Sequence, residues 1–187
     1  MPQMVFEYIL RKNGSDPAAD LEIDQNIDFG STAAAFAEGQ GDFTVEFEPN
    51  ATSLENEGKG FVVASLGTDS GYVPYTAFSA KQSYSEENPE ISQGVTNALQ
   101  KGMDYVQNHA PEEIAKVIEP QFTETDLETI TTIVTRYYDQ DTWKENLIFE
   151  EESFELLQDI LEEAGELTKR APYEDLVTTE YAERAAE

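Results

Sequence analysis

The chain has 187 residues, 39% of them hydrophobic, which suffices for one sizeable domain or two small ones and sets disorder aside as its main state. With 39 acidic against 11 basic residues its formal net charge is -28, so phosphate backbones and anionic membrane faces are repelled and nucleic acid is excluded as a partner. There is no cysteine, which removes disulfides, thiolate metal sites and thiol nucleophiles together, and no apolar stretch reaches the length of a membrane span.

The sequence opens on "MPQMVFEYILRKNG", where Met1, Met4, Val5, Tyr8 and Ile9 recur at helical spacing and leave one apolar face. Pro2 suits the first turn, and Asn13-Gly14 supplies a left-handed stop. Residues 20–28, "DLEIDQNID", alternate Leu21, Ile23 and Ile27 with polar side chains and predict a strand. A short helix follows within residues 30–42, capped by Ser31 or Thr32 and closed at Gly39. "FTVEF" reads as a second strand with Phe43, Val45 and Phe47 on one face and Thr44, Glu46 and Glu48 on the other. "NATSLENEG" is a short helix that Gly58 ends, and "GFVVASLG" is a buried strand with a continuous apolar run. The order of helix and strand, three times over, predicts an α/β fold with parallel strands joined by right-handed crossovers. Such a unit normally starts from a strand, so the sequence reads as truncated ahead of its first helix.

Residues 67–79, "GTDSGYVPYTAFS", mix turn residues with Tyr72, Tyr75 and Phe78 and predict a connection followed by another extended segment. From residue 81 the pattern is helical alone. Asn88-Pro89 starts a helix with Ile91, Val95, Ala98, Leu99 and Val106 on its apolar stripe, and Ala110-Pro111 starts a shorter one that runs to about Ile118. Thr125 and Glu128 form a capping box for the next, with Leu127, Ile130, Val134 and Tyr137 inward. The last clear helix carries Phe154, Leu157, Leu161 and Ala164 on one side.

Little of this has the pattern of catalysis. Gly39-Gln40-Gly41 and Gly58-Lys59-Gly60 lack the glycine spacing of a phosphate cradle, and His109, the lone histidine, stands at a helix end beside a proline. Glu46 and Glu48 share a face with Thr44, but nothing supplies a metal or acid–base partner. No catalytic residue, metal ligand or cofactor is therefore assigned. Open parallel sheets gather ligands beyond the carboxyl ends of their strands. Two loops fit that place: "FGST", with Gly30, Ser31 and Thr32, and "FEPNAT", with Glu48, Asn50 and Thr52. Helix capping accounts for Ser31, Thr32 and Asn50 equally well.

"GSTAAAFAEGQGDFTVEFEPNATSLENEGKGFVVASLG", followed by "VPYTAFSAKQSYSEENPE" and the closing "FELLQDILEEAGELTKRAPYEDLV", resembles the solute-binding proteins of the nitrate, taurine and aliphatic-sulfonate class of bacterial ABC transporters. The resemblance implies a type II periplasmic-binding-protein fold, here incomplete. Residues 1–74 would be the second, inserted α/β lobe without its first strand, and residues 75–187 the return segment and C-terminal helices of the first lobe. It implies a receptor that captures a small polar or anionic organic solute between two lobes and delivers it to an ABC permease, outside the cytoplasm, in the periplasm or as a cell-surface lipoprotein. No export signal is present in the chain itself. The ligand-facing residues carried over are Gly30, Ser31, Thr32, Glu48, Asn50, Tyr75 and Thr76. Two alternatives stand beside this: a free-standing fragment acting through a homo-oligomer or partner that covers its apolar faces, and an enzyme similar to the thiamine-pyrimidine synthase, whose cysteine-rich iron motif the chain lacks.

Overall fold

The computed structural model describes residues 1–187 and contains helices joined by extended segments. In chain order the helices are α1 (Pro2–Lys12), α2 (Pro17–Asp20), α3 (Thr32–Ala37), α4 (Asn50–Asn56), α5 (Leu66–Ser70), α6 (Gln82–Glu87), α7 (Pro89–Asn108), α8 (Pro111–Ile118), α9 (Leu127–Asp139), α10 (Glu151–Glu163), α11 (Tyr173–Leu176) and α12 (Glu180–Ala185). Single 3-10 turns, Phe29–Ser31 and Glu119–Gln121, precede α3 and follow α8.

The expected α/β sheet lobe is overturned: the molecule has no strand and no sheet. Residues 21–27, 43–47, 60–65 and 72–80, which carry the strand patterns, lie outside helices. Leu21 and Ser65 have extended backbones, but no backbone hydrogen bond joins one of these segments to another. A period-two pattern specifies which face of an extended segment is apolar. It does not supply the neighbour whose N–H and C=O groups complete a ladder. Phe43, Phe61 and Val63, expected on an apolar face or in a buried strand, are accordingly among the most exposed apolar side chains, with Phe78 of the return segment beside them in degree.

The helical expectations rest on local signals and fare better. α1 runs from Pro2 to Lys12, with Gly14 at φ 84° just past its end, and it packs against α5 and α10. α7 and α8 begin at Pro89 and Pro111, as the N-terminal prolines predict. Two caps are corrected. α9 is capped by Asp126 rather than by Thr125, the Asp126 carboxylate accepting from the Thr129 N–H at 2.9 Å. α3 is likewise preceded by the 3-10 turn and receives no side-chain cap from Ser31.

The core is the α8–α9 pair, where Ile114, Ala115, Ile130 and Val134 are buried together under Tyr105, Val106, Ile118, Leu127 and Trp143. α12 lies along α7, with the Arg184 Nε donating to Gln93 Oε1 at 2.7 Å. α4 packs on α9 with Thr52 and Leu54 buried. That last contact positions the candidate site.

Candidate functional site

The first of the three segments is built around Asp28. Its carboxylate accepts from the Gly30 N–H at 3.2 Å and its carbonyl from the Ser31 N–H at 2.8 Å, which winds residues 29–31 into a single turn. A β-carbon on Gly30 would stand 3.3 Å from that carboxylate, so glycine lets the turn close. The Thr32 hydroxyl donates to the Phe29 carbonyl at 2.9 Å. The Ser31 hydroxyl makes no hydrogen bond within the chain and is exposed.

In the second segment Glu46 accepts from the Thr44 hydroxyl at 2.8 Å and from the Asn50 amide at 3.4 Å. Glu48, whose side chain is only 9% exposed, turns to the protein. One oxygen accepts from the Thr52 N–H at 3.0 Å, in the first turn of α4, and the other from the Arg136 guanidinium at 3.0 Å. The same Nη1 donates to the Thr52 hydroxyl at 2.7 Å, while Nη2 is paired with Glu55. Glu55 also accepts from the Val62 N–H at 2.7 Å, which ties residues 60–65 to α4.

Arg136 thus joins α9 to Glu48, just ahead of α4, and to Thr52 and Glu55 within it. The Val62 N–H, and after it Arg136, hold the Glu55 carboxyl below the usual carboxylate range. Burial opposes the charge on Arg136, but Glu48 and Glu55 outweigh it and push the guanidinium up. Next along the helix, burial first and the Glu48 charge second push the Tyr137 phenol up.

The third segment meets the other two through aromatic rings. Phe47 lies 5.4 Å from Phe29, inclined at 76°, and 5.4 Å from Tyr75, inclined at 60°. These contacts draw together the segments holding Gly30, Ser31 and Thr32, Glu48 and Asn50, and Tyr75 and Thr76. Asn50 and Thr76 are exposed, and Tyr75 packs on Phe47. Phe29, Phe47 and Arg136 are the residues that sequence reasoning missed. Both phenylalanines stood inside the quoted loops, "FGST" and "FEPNAT", so an adjacent aromatic in each was the available signal.

A cavity of about 500 Å³ lies elsewhere and is lined by Asp104, Gln107, Asn108, Asp141 and Glu145. It has no apolar wall, whereas small-molecule sites are mostly apolar with a few placed polar groups. No three His, Cys, Asp or Glu side chains come together as a metal cage.

Residues 1–119 match the NMT1-like family. A protein of Bacillus subtilis (strain 168), "Putative binding protein YtlA", is 44% identical over 184 residues, which cover 98% of this chain and 55% of the relative. The chain therefore spans about half the length of the curated relative it matches. No solved structure matches it. Both matches agree with the resemblance to solute-binding proteins of the nitrate and taurine class.

Proposed function

The chain belongs to the NMT1-like family, and on that premise we propose that it is a solute-binding part of an ABC import system. Its cargo is a small polar or anionic organic solute, from the sulfonate, nitrate and taurine range that the resemblance implies. Its partner in transport is a membrane permease, and its place of work is outside the cytoplasm. The name of the Bacillus relative is that of a binding protein, which supports capture rather than catalysis.

The observation that carries this reading is the meeting of the three segments at Phe29, Phe47 and Tyr75. Separate stretches of chain that converge through partly exposed aromatic rings, with Ser31, Asn50 and Thr76 open beside them, offer contact area and orienting polar groups together. Two-dimensional NMR of the 15N-labelled chain at millimolar taurine, ethanesulfonate and nitrate tests it, since weak binding is still seen. Saturating shifts at Gly30, Ser31, Thr32, Asn50, Tyr75 and Thr76 are expected with at least one of these solutes. Absence of shifts with every solute, or shifts confined to other residues, refutes it.

A second reading is favoured by the exposed Phe43, Phe61, Val63 and Phe78. Exposed apolar side chains mediate association where they gather into a patch, and a copy of the chain or a partner protein would then cover them. Light scattering on the purified chain distinguishes a defined oligomer from a monomer.

A further inference from the structure

Resting on the solute-binding reading above, we infer that the Phe29–Phe47–Tyr75 cluster takes the cationic nitrogen of the solute, an alkylammonium group, and that a solute carrying only negative charge is rejected.

The first ground is where the chain's own carboxylates sit. An anion in these loops would need the free N–H groups at the turn before α3 and at the start of α4. Asp28 already accepts from Gly30 N–H in that turn, and Glu48 already accepts from Thr52 N–H in the first turn of α4. Both places are occupied by an internal anion. Arg136 brings no unmatched positive charge, because Glu48 and Glu55 both pair with it and the Thr52 hydroxyl takes a further N–H.

The second ground is charge. Between Lys12 and Lys59 the sequence has no lysine or arginine and eleven carboxylates, and both Phe29 and Phe47 fall within that stretch. Arg136 pairs with Glu48 and Glu55, and the other nine carboxylates have no salt bridge, among them Asp28 next to Phe29 and Glu46 next to Phe47. A free anion approaches this surface against its field, and a cation approaches with it.

The third ground is the rings. Phe29, Phe47 and Tyr75 remain 47%, 40% and 63% exposed although they touch one another. That exposure leaves part of each ring open to solvent, and the negative quadrupole of an open aromatic face attracts an ammonium group. A phenyl face cannot accept hydrogen bonds in the manner of water, so methylated nitrogen, which has fewer N–H groups to satisfy, suits it best. Within the range implied for the family, a zwitterion with an ammonium end meets these conditions and nitrate does not.

The test uses the full chain and a matched pair of probes, choline and its uncharged isostere 3,3-dimethyl-1-butanol, with sodium methanesulfonate and sodium nitrate at equal ionic strength. Choline is expected to give saturable shifts at the ring protons of Phe29, Phe47 and Tyr75, weakening as sodium chloride is raised. The isostere and the two anions are expected to give none. Tyr75→Leu, which keeps apolar area but removes one π face at an exposed position, is expected to weaken choline binding about threefold. Equal binding of choline and the isostere overturns the cation inference and leaves a solute site. Binding of methanesulfonate or nitrate in preference to choline does the same. Absence of ring shifts with all four probes overturns the inference, and the solute-binding reading falls with it when taurine also leaves Gly30, Ser31, Thr32, Asn50, Tyr75 and Thr76 unshifted.

Discussion

Replacing Arg136 with methionine keeps the aliphatic stem over α4 and removes the only guanidinium that reaches Glu48, Thr52 and Glu55. The magnitude follows from burial. Exposed ion pairs contribute at most about 1 kcal/mol, and breaking a fully buried pair costs about 3–5 kcal/mol because a charge is left without a partner. Arg136 is 29% and Glu48 9% exposed at the side chain, which lies between those limits. A loss of about 2–3 kcal/mol is expected, most of it from Glu48 left with the Thr52 N–H alone. Arg136→Lys is expected to recover part of this, since one ammonium cannot match two carboxylates and a hydroxyl with a planar fork. Urea unfolding at pH 7 measures both variants, with the slope of the transition checked for equality. The pH dependence supplies a second reading. The Glu55 carboxyl is held below its ordinary value, chiefly by the Val62 N–H and then by Arg136. Its contribution is whole above the unfolded-state value of about 4.3 and is lost as pH falls through the folded value, so the gap between wild type and Arg136→Met narrows in acid. A loss under about 0.5 kcal/mol at pH 7 would mean that the carboxylates are hydrated in place and that Arg136 holds nothing.

Ile130→Ala opens a void in the α8–α9 core, where Ile130 is buried among Ile114, Ala115 and Val134, and is expected to cost about 3 kcal/mol in urea unfolding; a cost under about 1 kcal/mol would show that the helices collapse onto the gap. Asp126 is held below the usual carboxylate range by the Thr129 N–H first and its hydroxyl second, so its contribution too is present near neutrality and lost as pH falls through the folded value. Asp126→Asn keeps a good cap without the titration. It is expected to match wild type at pH 7 and to flatten the acid limb of the stability profile, and an unchanged acid limb refutes the assignment. Gly60→Ala puts a β-carbon 2.8 Å from the Phe36 ring of α3 and is expected to lower stability by about 1 kcal/mol, with Phe36 resonances displaced; an unshifted Phe36 would show that the backbone at residue 60 moves instead.

What could be read from the sequence divides along the range of the interaction. Pro2, Pro89 and Pro111 mark helix starts because the missing N–H and fixed φ act within one turn, and the structure begins helices at each of them. The inward stripe of α9, with Ile130 and Val134, is equally local. In "TETDLE", Thr125 and Asp126 compete for one cap, and Asp126 holds it because its two oxygens reach both the N–H and the hydroxyl of Thr129. Sheet formation is decided at long range. Phe43, Val45 and Phe47 alternate as a strand should, yet pairing needs a second segment at the right distance and register, which alternation does not encode. The site divides the same way. Loops containing Gly30, Glu48 and Tyr75 are legible as turns with polar side chains, whereas Arg136 lies 88 residues from Glu48 and carries no local mark of its role.

The polar links from α4 and the segments after it converge on α9 and its C-terminal end. The Asn56 amide donates to the Thr129 hydroxyl at 3.4 Å, Arg136 holds Glu48, Thr52 and Glu55, the Ser65 hydroxyl donates to Gln140 at 2.6 Å, and Tyr72 is bonded to Asp141. Thr129, Arg136 and Gln140 stand seven and then four residues apart, which puts them on one stripe at about 100° per residue. Ile130, Val134 and Tyr137 lie roughly a quarter to a third of a turn around, on the stripe that faces α8 and Trp143. One helix therefore packs the core with one stripe and holds the extended, acidic part of the chain with the next. The consequence is directional. Loosening α8 from α9 acts on the helix that carries Arg136 and so on Glu48, next to Phe47 in the chain, whereas loosening the exposed rings of Phe29, Phe47 and Tyr75 leaves Ile114, Ile130 and Val134 covered. On the proposed reading, core substitutions such as Ile130→Ala are expected to alter solute binding at a distance, and ring substitutions such as Tyr75→Leu to alter it with little change in stability.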